Sequence, residues 1–240
     1  MMPQDSARSL KGKSIAVTGA SGTLGQALLR QLQAQGAKLT ALTSREVSSV
    51  ERDRPPEPVF QTLSWKVGEE AALAPLFETL DILVLNHGVN VYGDRSPAAI
   101  EKSYEVNAFS SWRLLELFLS TVTETNADRK EIWVNTSEAE SNPALSPLYE
   151  LSKRTLGDLV TLRRLDAPCP IRKIILGPFK SELNPVGIMD GDRVAAKIVS
   201  LAQQGHTNII VTINPLTFVT FPIKEFCVAT YFRLFSEPGA

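Results

Sequence analysis

Apolar residues along this chain come in short solid runs, alternating with longer stretches in which they recur every third or fourth position. The run KSIAVTGA (13–20) ends in Thr-Gly and predicts a buried strand. In TLGQALLRQLQAQGA, Leu24, Ala27, Leu28 and Leu32 recur at helical spacing, and Gly36 supplies the stop. KLTALTS (38–44) predicts a second strand, and the polar, proline-rich ERDRPPEPV (51–59) a surface loop. VFQTLSW reads as a third strand, and EEAALAPLFETL as a short helix weakened by Pro75. DILVLNHG (81–88) predicts a fourth strand, and a long helix is expected over 97–122. Strand EIWVNTS (131–137), helix 148–165, strand IRKIILG (171–177), helix GDRVAAKIVSLAQQG and strand TNIIVT (207–212) complete the alternation.

Strands that alternate with helices from end to end predict an α/β fold. It is a doubly wound parallel sheet (a Rossmann fold) of about seven strands with helices on both faces. No break in composition divides the chain, so one dinucleotide-binding domain is expected over 1–240, with 216–240 as an aromatic-rich C-terminal extension.

Composition changes this picture little. Hydrophobic residues make up 43% and charged residues 21%, and a net charge of −1 gives no footprint for a nucleic acid. Cys169 and Cys227 lie far apart and read as reduced structural thiols, and with only two histidines no metal site is expected. The first residues, MMPQDSARSL, lack the apolar core of a secretory signal, which gives a cytoplasmic expectation.

Chemistry enters at TGASGTLG, where Gly19, Gly22 and Gly25 stand at three-residue spacing between the first strand and the first helix. Glycine permits a tight turn and a close approach of pyrophosphate to the helix N-terminus, whose free N–H groups and dipole favour anions. Ser21, Thr23 and Leu24 belong to the same expected dinucleotide-binding turn. After the second strand come Ser44 and Arg45, with no carboxylate before Glu46. An arginine there accommodates a ribose 2′-phosphate, so NADP(H) is expected over NAD(H), with Ser44 hydrogen-bonding the phosphate.

In SPLYELSKRTLGDL, Tyr149 and Lys153 stand one turn apart on the same helix face. Taken alone, such a pair reads as a packed tyrosine and a solvated lysine. A nearby ammonium favours the phenolate, however, and would bring a group of ordinary pKa about 10 closer to working pH.

Glycine turn, Tyr-x-x-x-Lys and the strand–helix order together resemble the short-chain dehydrogenase/reductase family, over roughly residues 11 to 212. LNHG supplies Asn86 and Gly88 of the family's segment after the fourth strand, with His87 filling an alanine place. The resemblance implies Asn107 in the long helix as the catalytic asparagine and Ser137 as the substrate-orienting serine, with Thr136 as the neighbouring alternative. Tyr149 would then be the acid/base, and Lys153 would also hold the nicotinamide ribose. LGPFKSEL keeps Gly177, replaces the family's proline by Leu176, and offers Phe179 and Ser181 to the nicotinamide end. Lys66 stands where an adenine-binding Asp is usual, leaving Val67 as the contact there.

The resemblance implies an NADP(H)-dependent oxidoreductase that interconverts a carbonyl and an alcohol on a small-molecule substrate. Two alternatives stand beside it: a catalytically weak NADP(H)-binding regulatory or scaffold protein, and a dehydratase or epimerase on the same fold. A homo-oligomer is expected. The C-terminal stretch, with Phe218, Phe221, Phe226, Tyr231, Phe232 and Phe235, carries too many charges to span a bilayer. It can pack on its own domain, form a subunit interface, or lie as a helix against a membrane surface.

Overall fold

The computed structural model describes residues 9–44 and 61–237. Arg45, the loop expected over 51–59 and the start of the expected third strand lie outside the described residues. Seven strands form one parallel sheet: β1 (Ser14–Thr18), β2 (Lys38–Thr43), β3 (Gln61–Ser64), β4 (Ile82–Leu85), β5 (Glu131–Ser137), β6 (Ile171–Leu176) and β7 (Asn208–Val211). Their spatial order is β3-β2-β1-β4-β5-β6-β7, so the chain reverses its direction of travel between β1 and β4. That switch opens a crevice at the carboxyl ends of the two strands.

Both faces of the sheet are covered. On one side α1 (Thr23–Ala34) and the later helix at Gly191–Gln203 pack Leu28, Leu32, Val194 and Ile198 against Ile15, Val17 and Ile174. On the other, Phe77, Leu115, Phe118 and Leu156 cover Leu83, Ile132 and Val134. Strands buried on both faces need apolar residues at every position, which is why they read as solid runs rather than as alternation.

Two elements differ from the sequence expectation. The segment around Pro75 forms a 3₁₀ turn (Glu70–Leu73) and then α2 (Ala74–Thr79). Proline sits in the first turn of α2, where its missing N–H has no intrahelical partner to lose. The long helix is divided into α3 (Pro97–Tyr104), a π turn (Glu105–Phe109) and α4 (Ser110–Leu119). Helices α5 (Pro147–Arg163) and α6 (Gly191–Gln203) follow as expected, and the C-terminal stretch folds as α7 (Thr217–Phe235) despite Pro222 inside it. Among the described residues, no helix is long and apolar enough to cross a membrane.

Candidate functional site

The turn after β1 is built by steric necessity. Gly19 holds φ +61°, and a Cβ there would come within 2.8 Å of His87 Cα. A Cβ on Gly25 would overlap the carbonyl oxygen of Gly19 and Cα of Ala20, so only glycine lets α1 approach the strand this closely. Gly22 is the N-cap of α1, it offers no side-chain acceptor, and the first turn carries no carboxylate. The helix start therefore keeps its positive end for a ligand.

The turn forms one wall of a cleft of about 290 Å³ at the switch point. Gly19, Ser21, Gly22, Thr23 and Leu24 line one side, and Ser44 and Val67 the end beyond β2 and β3. Asn86 and Gly88 lie at the floor, and Phe179 and Ser181 at the far rim. Eleven of the expected contacts thus share one cavity, and its chemistry fits a dinucleotide: a glycine cradle, an uncapped helix start and no acidic side chain on the glycine turn. Gly25 and Gly177 stand behind it as packing positions. A Cβ on Gly177 would overlap the Thr212 side chain. We expect Gly25→Ala to cost about 1–3 kcal/mol of stability by overpacking and to weaken dinucleotide binding. Denaturant unfolding and a binding titration measure the two effects.

Trp65, His87, Val106, Glu182 and Leu183 also line the cleft, and none was expected as a contact. Trp65 follows β3 directly and meets the His87 ring edge-on at 5.3 Å. His87 Nδ1 lies 2.9 Å from the Thr18 hydroxyl, which also accepts the backbone N–H of Asn86 at 2.8 Å. Burial, aided by the Lys153 charge, pushes His87 down to about 3, so it is a neutral wall residue rather than an acid or base. The only available signal was position, at strand ends facing the glycine turn.

The expected catalytic groups adjoin the cleft floor at Gly88, where a Cβ would stand 3.1 Å from Asn107 Oδ1 and 3.8 Å from Lys153 Nζ. Asn107 lies in the π turn, fully buried, and its Oδ1 accepts Val89 N–H at 2.7 Å. Its Nδ2 donates to Val89 O at 2.9 Å and to Ser152 Oγ at 3.0 Å. These bonds tie the helix to the strand-end loop and to α5, and π turns are frequent at such functional positions. Ser137 ends β5, buried, and its Oγ accepts Ala139 N–H at 3.2 Å.

Tyr149 is half-buried, and Lys153 is buried with its Nζ 5.9 Å from the centre of the Tyr149 ring. Lys153 donates to Asn135 O at 3.1 Å. Here the site departs from the simple expectation of a phenol acidified by its neighbour. Burial pushes Tyr149 up to about 12, opposed by a hydrogen bond with Ser137. Burial likewise pushes Lys153 down to about 8, opposed by the Glu140 charge. Both shifts disfavour charge, so turning the phenol into a base needs further positive charge beside it.

Comparison with known proteins agrees with this geometry. The model of the NAD dependent epimerase/dehydratase family matches residues 15–156, more than half of the chain. Monoglucosyldiacylglycerol epimerase of Synechocystis sp. is 58% identical over 234 residues, which cover 96% of this chain and 57% of that protein. A short chain dehydrogenase/reductase of Colletotrichum higginsianum is 28% identical over 180 residues, 67% of this chain and 42% of the relative. The chain spans about half the length of the curated relatives it matches. Among solved structures, a short chain dehydrogenase from Burkholderia cenocepacia in complex with NADP superposes with a TM-score of 0.75 at 18% identity, covering 95% of this chain and 99% of that one. The chain belongs to the NAD dependent epimerase/dehydratase family, which is related to the short-chain dehydrogenases/reductases whose fold it shares.

Proposed function

We propose that this chain is an epimerase that inverts one carbinol carbon of a sugar carried by a diacylglycerol-type lipid, with a tightly held nicotinamide dinucleotide. The observation that carries this reading is the 58% identity, over nearly the whole chain, to an epimerase of a glucosylated diacylglycerol. A carbonyl reductase or alcohol dehydrogenase, the first expectation from the sequence, would use the same catalytic groups. The family match and this relative favour the epimerase that stood beside it as an alternative.

The fit of the cleft to a dinucleotide supports the cofactor. Gly19, Ser21, Gly22, Thr23 and Leu24 would hold the pyrophosphate, Ser44 and Val67 the adenosine end, and Asn86, Gly88, Phe179 and Ser181 the nicotinamide end. The described end of β2, Thr43 and Ser44, carries no carboxylate to take a ribose 2′-hydroxyl, which favours NADP(H). A bound nicotinamide would supply reversible hydride acceptance, so the reaction is redox-neutral overall.

The chain's own groups do the rest. As the phenolate, Tyr149 takes the proton of the carbinol oxygen while the carbon gives up its hydride, leaving a ketone. The charge of an oxidised nicotinamide, added to that of Lys153, would favour that phenolate. Ser137 steadies that oxygen by a hydrogen bond. Lys153 keeps positive charge beside the phenol, and Asn107 holds the loop at Gly88 in place through Val89. After the sugar turns its opposite face, Tyr149 returns the proton as the carbon recovers its hydride. Inversion thus breaks and remakes one C–H and one O–H bond.

A glucosyl lipid deuterated at the reacting carbon tests the reading. We expect the epimer to form with the label retained and with no net change in reduced nicotinamide. Stoichiometric nicotinamide turnover, with a ketone as the product, would return the protein to the reductases.

A further inference from the structure

α7 is apolar nearly all round, and it buries its charges rather than exposing them, Arg233 apart. Its charged residues Lys224 and Glu225 turn inward: Glu225 accepts Lys173 Nζ at 2.7 Å and Arg164 Nη1 at 3.2 Å, and Lys224 donates to Glu140 at 2.9 Å. Outward point Val219, Ile223, Phe226 and Leu234 at helical spacing, with Tyr231 and Phe235 exposed to one side of them. Phe226 is 72% and Phe235 74% exposed. Arg233 is the single charge on that face, and no carboxylate follows before Glu237.

A second apolar group lies on the loops beside the cleft, two of its members following the cleft-lining residues Ser181, Glu182 and Leu183 in the chain. Leu145 is 98% exposed and Val186 87%, and Tyr92 and Ile188 are exposed as well. Tyr92 and Leu145 hold φ of +54° and +59°. Bulky residues rarely adopt that backbone, and it persists where the surroundings impose it. Tyr92 is held by its N–H to Asn90 Oδ1 at 2.8 Å, and its hydroxyl donates to Glu182 O at 3.3 Å. The segment 142–146 joins the two groups. At one end Asn142 donates to Thr217 in the first turn of α7, and at the other Ser146 donates to Asn90.

We propose that this surface, the outer face of α7 with the apolar loops beside the cleft, seats the protein on a lipid bilayer. The proposal rests on the lipid-epimerase reading and deepens it: a sugar head group enters the cleft while its acyl chains stay in the leaflet. A bilayer suits the surface better than a second copy does. A rigid partner over those loops would close the cleft to substrate, whereas a leaflet delivers substrate to it. A face with one arginine and no carboxylate is not repelled by anionic lipid, and a tyrosine suits the headgroup level.

Flotation of the full chain with vesicles of phosphatidylcholine and phosphatidylglycerol, free of glycolipid, tests the proposal separately from turnover. We expect the chain to float. The Ile223→Ser/Phe226→Ser pair should cut the bound fraction by about tenfold or more, with unfolding temperature and NADP(H) affinity unchanged. Leu145→Ser/Val186→Ser should weaken flotation as well. Failure of the unaltered chain to float, or undiminished flotation of both variants, would overturn the proposal. So would a stable dimer that Ile223→Ser/Phe226→Ser dissociates, which would assign the face to a second copy. Because the vesicles hold no substrate, flotation can succeed even where the labelled-lipid experiment fails, and the reverse holds too.

Discussion

Replacing Tyr149 with phenylalanine leaves a folded, nucleotide-binding protein whose turnover falls by about a thousandfold, the scale of a lost general acid/base. The ring stays. It keeps its place on α5 near the Lys153 ammonium, 5.9 Å from the ring centre, so packing and the Lys153–Asn135 hydrogen bond survive. Only the hydroxyl goes, and with it the group that Ser137 hydrogen-bonds. No other titratable side chain at the cleft floor can take over. His87 is held neutral by burial, and Lys153 donates to a backbone carbonyl. The measurement is the rate of label-retaining epimerisation, with nucleotide affinity and thermal unfolding as controls. A rate within tenfold of the unaltered protein would place the proton on another group.

Replacing Lys173 with methionine is expected to cost about 3–5 kcal/mol of folding stability, the range for breaking a buried ion pair from one side. Lys173 is fully buried on β6 and donates to Glu140 at 3.1 Å, Glu225 at 2.7 Å and Thr161 at 2.8 Å. Methionine fills much the same volume but leaves two buried carboxylates short of their shared ammonium. Glu140 already carries one buried oxygen, Oε1, without a hydrogen-bond partner, and would be left with Lys224 as its one hydrogen-bonded cation among the described residues.

The pH dependence follows from Glu225. Burial pushes its carboxyl up, but Lys173 and Arg164 outweigh that, and the group ends below its ordinary value. A lowered folded value contributes stability that is fully present above the ordinary carboxylate range and lost as pH falls through the folded value. Without Lys173 that contribution shrinks, because Arg164 and Thr161 alone then oppose burial. The deficit of Lys173→Met should therefore be largest at neutral pH and shrink on acidification, as read by denaturant unfolding at both. An equal deficit at every pH would mean that packing, rather than charge, accounts for the loss. Because Glu225 belongs to α7, the variant should also loosen the helix that carries the apolar face.

The alternation of strand and helix was legible because burial on both faces and burial on one stripe leave different periods in the sequence. Gly19 and Gly25 were legible because no other residue fits there, Gly22 because it completes their spacing, and Tyr149 with Lys153 because one helical turn joins them. The π turn was not. Its place at Asn107 is tied to hydrogen bonds with Val89 and Ser152, from a loop and a helix that the local pattern does not mention. Trp65 and His87 became cleft walls only when β3 and β4 ended beside the same glycine turn.

The C-terminal segment divides the two kinds of knowledge most clearly. Its residues alone show a run too charged to cross a bilayer, with Lys224 and Glu225 as interruptions among aromatics. Local periodicity establishes which positions share a helix face, and so it was enough for the alternation of buried strands and helices, the glycine turn and the placing of Tyr149 one turn from Lys153. It cannot say which face meets the protein. Glu140 and Lys173, distant in the chain and buried together, settle that by drawing the charges of α7 inward with Phe221 and leaving Phe226, Tyr231 and Phe235 to the outside. A buried charge needs its partner in space, and no stretch of neighbouring residues records where that partner will be.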